Sequence, residues 1–495
     1  MQHRNSTAAD IQTYLKIYDD LLGPAGRKVP DDFLLGTSTS SYQIEGGAHE
    51  DGRRDSVWDT FCRVPGRIAN EASGDIAADH YHRVNEDLDL MAGLHMQAYR
   101  FSVSWSRVLP TGEGKVNQSG LDFYSRLVDG LLERGITPVL TLYHWDLPQD
   151  LQDRYGGWTA RQTAYAFAHY AEVMGAALGD RVAMWSTHNE PWNSSYTAYG
   201  SGEFAPGGRS HENALKAVHH LNLAHGLGVQ ALRGSATHPD LQVSTVLNIF
   251  RIEPDRPEDL EAAQLVETVA NRAFTDPVLL GRYPNELFQE TSWVTDWAFV
   301  QPGDLEICHQ KLDFLGINYY EIMHVRRADV STGTGQPGGT MFPGAERVQF
   351  TQAERAPRTA MGWGVEPDGL EEHLVRLSQL YDGLPLIVME NGAAFADEVA
   401  TRDGQPFIID HERAQYLADH LEATLRARRR GAQVKGYFVW SLLDNFEWAL
   451  GYGPKFGIVR VQDKTLDRIP KLSAAWFAKL NQDRAIPTLR TATAG

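Results

Sequence analysis

The chain of 495 residues carries 46 Lys and Arg against 64 Asp and Glu, a formal net charge of −18. That balance repels phosphate backbones and anionic bilayers, which argues against nucleic acid or a membrane surface as a partner. Hydrophobic residues make up 42% and charged residues 22%, the composition of a globular protein long enough to bury a large core.

In chain order, the first stretch, "MQHRNSTAADIQTYLKIYDDLLGPAGRK", has no apolar segment between a basic start and a small-residue cleavage site. The spacing of Ile11, Leu15, Tyr18 and Leu22 predicts a helix instead. Residues 1–28 therefore read as a partly helical extension, 29–485 as one catalytic domain and 486–495 as a tail. No apolar stretch approaches the roughly 20 residues that span a bilayer, and the cytoplasm is the expected compartment.

Eight short β-branched and aromatic runs follow, at 33–37, 98–103, 138–143, 183–187, 242–249, 314–318, 386–389 and 436–440. Amphipathic stretches separate most of them. In "SGLDFYSRLVDGLLERG" the residues Leu121, Tyr124, Leu127, Val128, Leu131 and Leu132 fall on one helical face, and Gly135 stops it. The segment 329–362, with "STGTGQPGGT" inside it, reads as a long loop after the sixth strand. The basic run "RARRRG" reads as a solvated helix C-terminus, where cations suit the dipole. Strand-helix alternation with eight strands predicts an α/β fold, a single (β/α)8 TIM barrel.

Polar, aromatic and acidic residues collect just after these runs: Gln43 and Glu45, Arg100, His144 and Trp145, Asn189 and Glu190, Asn318 to Tyr320, Glu390, and "WSLLDNFEW" at 440–448. In such a barrel the C-terminal strand ends build the active site. Glu190 and Glu390 each end an apolar run beside an Asn, and a buried carboxylate is costly unless paired or used. Two acids facing one cleft suit glycosidic bond cleavage, in which one protonates the leaving oxygen and the other acts at the anomeric carbon. A separation of about 5–5.5 Å gives retention and about 6.5–9.5 Å gives inversion, a distance no sequence supplies. A salt-bridged loop residue is the plain alternative for each acid, core packing for each aromatic, and a satisfied barrel histidine for His144. Only Cys62 and Cys308 occur, and no spacing of His and carboxylates suits three metal ligands, so no metal or cofactor is expected.

"STHNEPW" is similar to the Thr-x-Asn-Glu-Pro motif of glycoside hydrolase family 1, and "VMENGAAF" resembles the nucleophile motif of that family. "DDFLLGTSTSSYQIEGG", "DHYHRVNEDLDLM", "YRFSVSWSRVLP", "LTLYHWDLPQDLQDRYGGW", "LDFLGINYY", "MGWGVEPDGL" and "GYFVWSLLDNFEW" resemble family segments in the family's order, covering about residues 29–477. The resemblance implies a β-glucosidase acting with retention through a glycosyl-enzyme, with Glu190 as acid/base and Glu390 as nucleophile. It further implies that Arg100, Tyr320 and Asn318 support the nucleophile. Gln43, His144 and Glu447 match the family's hydroxyl clamps, and Asn189 is expected to hydrogen-bond the sugar 2-hydroxyl, a contact that strengthens in the transition state. Trp440 and Trp448 match the apolar platform and wall, Trp145 and Phe456 further sugar contacts, and Trp363 the aromatic that stacks on the leaving group. The implied partner is a small β-glucoside or oligosaccharide.

Three residues depart from the family pattern: Met389 stands where Thr is common, Leu35 where Trp is common, and His188 where an apolar residue is usual. Within the family, 6-phospho-β-glycosidases carry Ser, Lys and Tyr at places occupied here by Glu447, Pro454 and Phe456. A carboxylate there repels a phosphate dianion, which points to unphosphorylated glucosides, with galactosides and fucosides as further candidates. A sugar-binding barrel without catalysis would be expected to lack one of the two acids, and a thioglycosidase has Gln in place of Glu190. A transferase using the same intermediate stays open.

Overall fold

The computed structural model describes residues 7–328, 342–353 and 356–490. Eight parallel strands close on themselves: β1 (Leu34–Ser38), β2 (Ala98–Ser102), β3 (Thr137–Tyr143), β4 (Met184–Asn189), β5 (Gln242–Leu247), β6 (Leu315–Asn318), β7 (Leu386–Asn391) and β8 (Val434–Trp440). Each pairs with its neighbours in chain order, and β8 returns to β1 with Gly436 opposite Leu34 and Trp440 opposite Ser38. All eight expected runs are barrel strands.

The largely apolar character of the runs follows from burial on both faces, with polar residues gathered towards the C-terminal ends. Inside the ring, Ala98, Val139, Met184, Val246, Phe314, Ile387, Met389 and Phe438 form one apolar plug, with Leu34 packed against it. Gly36 makes room for it, since a Cβ there would meet the Phe438 ring at 2.4 Å. The outward residues join the larger core beneath the helices.

The helix Gln118–Glu133 buries Phe123, Tyr124, Leu127, Val128 and Leu131, and Gly135 follows it at φ 70°. Leu132, expected on the buried face, is 42% exposed. At 100° per residue it sits one step past Leu131, beyond the edge of the packed stripe, and Phe123 takes the place in the core.

At the N-terminus the helix Ala8–Leu15 is capped by Thr7 and buries Ile11 and Leu15. It does not continue to Leu22, which lies on the strand Leu22–Lys28. That strand pairs antiparallel with Ala485–Leu489, so pairing between the two ends of the chain overrides the helical spacing. The second strand also crosses the boundary drawn after residue 485.

The basic run closes the helix His411–Arg429, with Arg428 on Asp32 at 2.7 Å and Arg430 on Glu371 at 3.0 Å. The stretch "STGTGQPGGT" lies outside the described residues. Part of the expected loop is a strand instead: Val348–Thr351 pairs antiparallel with Ile322–Arg327, which pairs parallel with Arg251–Pro254. This small sheet begins at the mouth of the barrel, where Phe250 and Met323 border the cavity described next.

Candidate active site

Glu190 follows the last residue of β4, and its amide donates to the Val246 carbonyl on β5 at 2.9 Å. Its φ of 45° is left-handed, an uncommon setting for a residue with a Cβ and one found at functional sites. Trp145 (φ 76°) and Trp448 (φ 50°), both lining the same cavity, share this setting. Two neutral amides hold the carboxylate: Asn318 Nδ2 donates to Oε1 at 2.8 Å and Asn193 Nδ2 donates to Oε2 at 2.8 Å. Burial, and then the charge of Glu390, push its pKa up to about 8.

Glu390 lies on β7 and is held differently. Arg100, from β2, donates from Nη1 to Oε1 at 2.6 Å, and the Tyr320 hydroxyl donates to Oε2 at 2.7 Å. Burial raises its pKa, while the guanidinium and the phenol oppose that rise. A cation and a hydroxyl favour the ionised form. The ionised form is therefore favoured more at Glu390 than at Glu190.

Asn189 links the two groups. Its Oδ1 accepts from Arg100 Nη2 at 2.7 Å and from Asn318 Nδ2 at 3.0 Å, and its Nδ2 lies 3.2 Å from His144 Nε2. With an amide donor at Nε2, the His144 proton sits on Nδ1. Burial, and then Arg100, keep that ring neutral, well below the ordinary histidine range.

The cavity over these groups holds about 380 Å³. His144, Trp145, Glu190, Asn318, Tyr320, Trp363, Glu390, Trp440, Glu447, Trp448 and Phe456 line it. The His144 ring stacks on Trp440 at 5.7 Å, and Trp448 packs against Trp145 at 4.6 Å. Trp363 lies 5.2 Å from Tyr320 and 6.0 Å from Phe456, ring centre to ring centre. Glu447 is partly exposed, and its carboxyl is pushed up to about 8 by burial and by the charge of Glu390.

Arg100, Asn189 and Gln43 join the site beside lining residues, against Glu390, His144 and Glu447 respectively. Gln43 Nε2 donates to Asn445 Oδ1 at 3.0 Å and to the Phe446 carbonyl at 2.9 Å, and it lies 3.5 Å from Glu447 Oε2. Met389 belongs to the barrel plug, Leu35 to the outer core, and His188 is buried with Nε2 3.1 Å from the Leu221 carbonyl. None of these three lines the cavity.

Trp192, Asn193, Phe204, Phe250, Met323 and Met361 line it without having been singled out. Trp192 and Asn193 directly follow the Glu-Pro pair and could have been found from that adjacency. The others sit on long connections with no local signature. Among the described residues no three His, Cys, Asp or Glu side chains gather closely enough to hold a metal ion.

A parallel eight-stranded barrel with two unequally held carboxylates in one aromatic cavity defines a sugar-cleaving barrel enzyme. The chain belongs to glycosyl hydrolase family 1, whose model matches residues 26–486. It is 46% identical over 461 residues to a bifunctional beta-D-glucosidase/beta-D-fucosidase of Bifidobacterium breve, covering 92% of this chain and 98% of that one. It is 48% identical to thermostable beta-glucosidase B of Thermobispora bispora, covering 90% and 89%. Among solved structures, the psychrophilic beta-glucosidase of Micrococcus antarcticus superposes with a TM-score of 0.85 at 46% identity, covering 92% and 98%. The beta-glucosidase of Thermotoga maritima bound to glucoimidazole gives 0.85 at 39% identity, covering 92% and 99%.

Proposed function

We propose that the protein is a retaining β-glucosidase acting on terminal, unphosphorylated β-D-glucosyl residues, with β-galactosides and β-fucosides as further substrates. The observation that carries this reading is the unequal support of the two carboxylates. Arg100 and Tyr320 hold both oxygens of Glu390, whereas Glu190 meets only neutral amides.

In the proposed reaction the Glu390 carboxylate attacks the anomeric carbon while protonated Glu190 gives its proton to the leaving oxygen. The aglycone departs as an alcohol, and a glycosyl ester forms on Glu390. That ester is uncharged, so the Coulombic push that raises Glu190 disappears, and its pKa falls towards the ordinary carboxylate range. Glu190 is then an ionised base that takes a proton from water as the water attacks the same carbon. Two inversions return the β-anomer, and no cofactor takes part.

His144, Asn189, Gln43 and Glu447 are assigned to the sugar hydroxyls, Trp440, Trp448, Trp145 and Phe456 to its apolar faces and edges, and Trp363 to the leaving group. The unphosphorylated reading is supported by Lys455, the cation nearest in sequence to the places a phosphate would use. Its ammonium lies 3.7 Å from Asp463, and it does not line the cavity. No helix among the described residues is long and apolar enough to cross a membrane. Both cysteines are buried free thiols, as a reducing cytoplasm would keep them.

The test is hydrolysis of an aryl β-glucoside followed by NMR from the first turnover. The reading expects β-glucose as the first-formed sugar, with alkyl β-glucoside appearing when an alcohol is added. First-formed α-glucose would overturn it, and so would stable binding without hydrolysis.

A further inference from the structure

Behind the cavity, five ionisable side chains form a network with almost no exposure: Lys471, Arg413 and Asp410 at 0%, Asp397 and Asp444 at 2%. Lys471 Nζ lies 2.9 Å from Asp397 and 3.0 Å from Asp444. Arg413 lies 3.2 Å from Asp397 and also pairs with Asp410. Asp410 accepts from the Ser473 amide at 2.8 Å. These residues come from four segments: the connection after β7, the start of the helix His411–Arg429, the connection after β8, and the start of the helix Leu472–Asp483.

Buried ion pairs are weak devices for stability, because desolvation offsets their attraction, so geometry is the better place to look for their role. Apart from the Ser473 hydroxyl, which donates to Asp410, and Arg460, 3.9 Å from Asp397, the bonds that leave this network go to the backbone. Arg413 donates to the carbonyls of Ala393 at 3.2 Å, Phe395 at 3.1 Å and Lys455 at 2.5 Å. Asp444 Oδ1 accepts from the Gly457 amide at 2.9 Å. Lys455 and Gly457 flank Phe456, so the network grips the chain on both sides of one cavity residue.

Apart from the network, the backbone here is tied to the end of β8: the Ser441 amide donates to the Phe456 carbonyl at 3.4 Å, and the Ile458 amide to the Ser441 carbonyl at 2.9 Å. The Phe456 ring clusters only with Ala394 and Trp440, apart from the main core and the barrel plug, against the half-buried Tyr320, Met361 and Trp363. Gly457 fits tightly, since a Cβ there would meet the Asp444 nitrogen at 2.1 Å.

We propose that the Asp397–Asp410–Arg413–Asp444–Lys471 network is a positioning device that fixes Phe456 and thereby sets selectivity at the C6 end of the sugar. The inference rests on the β-glucosidase reading, with Glu447 and Phe456 at the C6 end because they occupy the places where the 6-phospho-β-glycosidases of the family carry Ser and Tyr. Asp444 touches no substrate. It acts through the Gly457 amide and the backbone of Phe456.

The experiment compares kcat/KM for aryl β-glucoside and aryl β-xyloside, which share an aglycone but differ by the C6 hydroxymethyl group. Asp444→Ala should lower the glucoside-to-xyloside ratio roughly tenfold, while Asp444→Asn, which keeps an acceptor for the Gly457 amide, should hold it within about threefold. A lower melting temperature with an unmoved ratio in Asp444→Ala would overturn the proposal, because a merely structural role changes both substrates alike. Should Asp444→Ala fail to fold, the charge-balanced double variant Asp444→Leu with Lys471→Met, which also removes the acceptor for the Gly457 amide, decides. The ratio should then fall about fivefold, and an unchanged ratio refutes the positioning role. A wild-type chain inactive on the glucoside would instead sink the β-glucosidase reading itself.

Discussion

Removing one hydroxyl should narrow the pH profile from one side only. Tyr320 Oη donates to Glu390 Oε2 at 2.7 Å, and the ring also packs against Trp363 and Phe456. Tyr320→Phe keeps that packing and deletes the donor. A hydrogen bond to a charged group contributes about 1.5–3 kcal/mol. At about 1.4 kcal/mol per pH unit, losing it should raise the Glu390 pKa by about 1–2 units. Glu390 reacts as the anion, so activity is lost as pH falls through its pKa, and the acid limb should climb by that amount. Glu190 reacts as the acid, so activity is lost as pH rises through about 8, and that limb should stay in place. The two limbs belong to the coupled pair, and the difference between variant and wild type is the informative quantity. The assay is kcat/KM for an aryl β-glucoside across pH. An unmoved acid limb, or a shift confined to the alkaline limb, would refute the assignment of Tyr320 to the nucleophile.

Glu190→Gln should cost roughly 10²–10⁴-fold in the glycosylation step for an alkyl glucoside and little for a substrate with an acidic phenol, measured in single turnovers. Equal losses would remove Glu190 from the role of acid. Glu447→Ser should depress kcat/KM for glucosides more than for sugars lacking a 6-hydroxyl, because each lost hydrogen bond contributes about 0.5–1.5 kcal/mol. The wild type should prefer an aryl β-glucoside over its 6-phosphate, and the opposite preference would overturn the substrate class. His188, buried beside His225, has its pKa pushed down to about 3, chiefly by burial. It stays neutral in the fold yet protonates below about 6.5 once unfolded, so it makes stability rise with pH between those values. In urea titrations between pH 4 and 6, His188→Leu should flatten that slope by about 1.4 kcal/mol per pH unit, and an unchanged slope would contradict a neutral buried imidazole.

The barrel strands were legible because burial on both faces makes each one a short, nearly continuous apolar run. Residues such as Val139, Val246 and Ile387 announce the plug without any knowledge of their neighbours. Glu190 and Glu390 were legible for the converse reason, as charges placed where such runs end. What local pattern could not carry is pairing between distant segments. The strand Leu22–Lys28 finds its partner at Ala485–Leu489, and nothing near Leu22 distinguishes that outcome from one more helical turn. The cavity's outer wall was hidden likewise, since Phe204, Phe250 and Met361 look like any apolar loop residue until the barrel gathers them. The unequal electrostatics of the two acids depend on bonds from Arg100, Asn193, Asn318 and Tyr320, which come from three separate segments of the chain.

The central claim is that Glu390 attacks the anomeric carbon. Glu390→Ala should abolish hydrolysis of an activated aryl β-glucoside, and added azide should restore turnover by entering the space the side chain leaves. Azide attacking from that face inverts the centre once, so the product should be α-glucosyl azide, identified by the coupling of its anomeric proton. β-Glucosyl azide from this variant would place the nucleophile on the other face and contradict the assignment of Glu390.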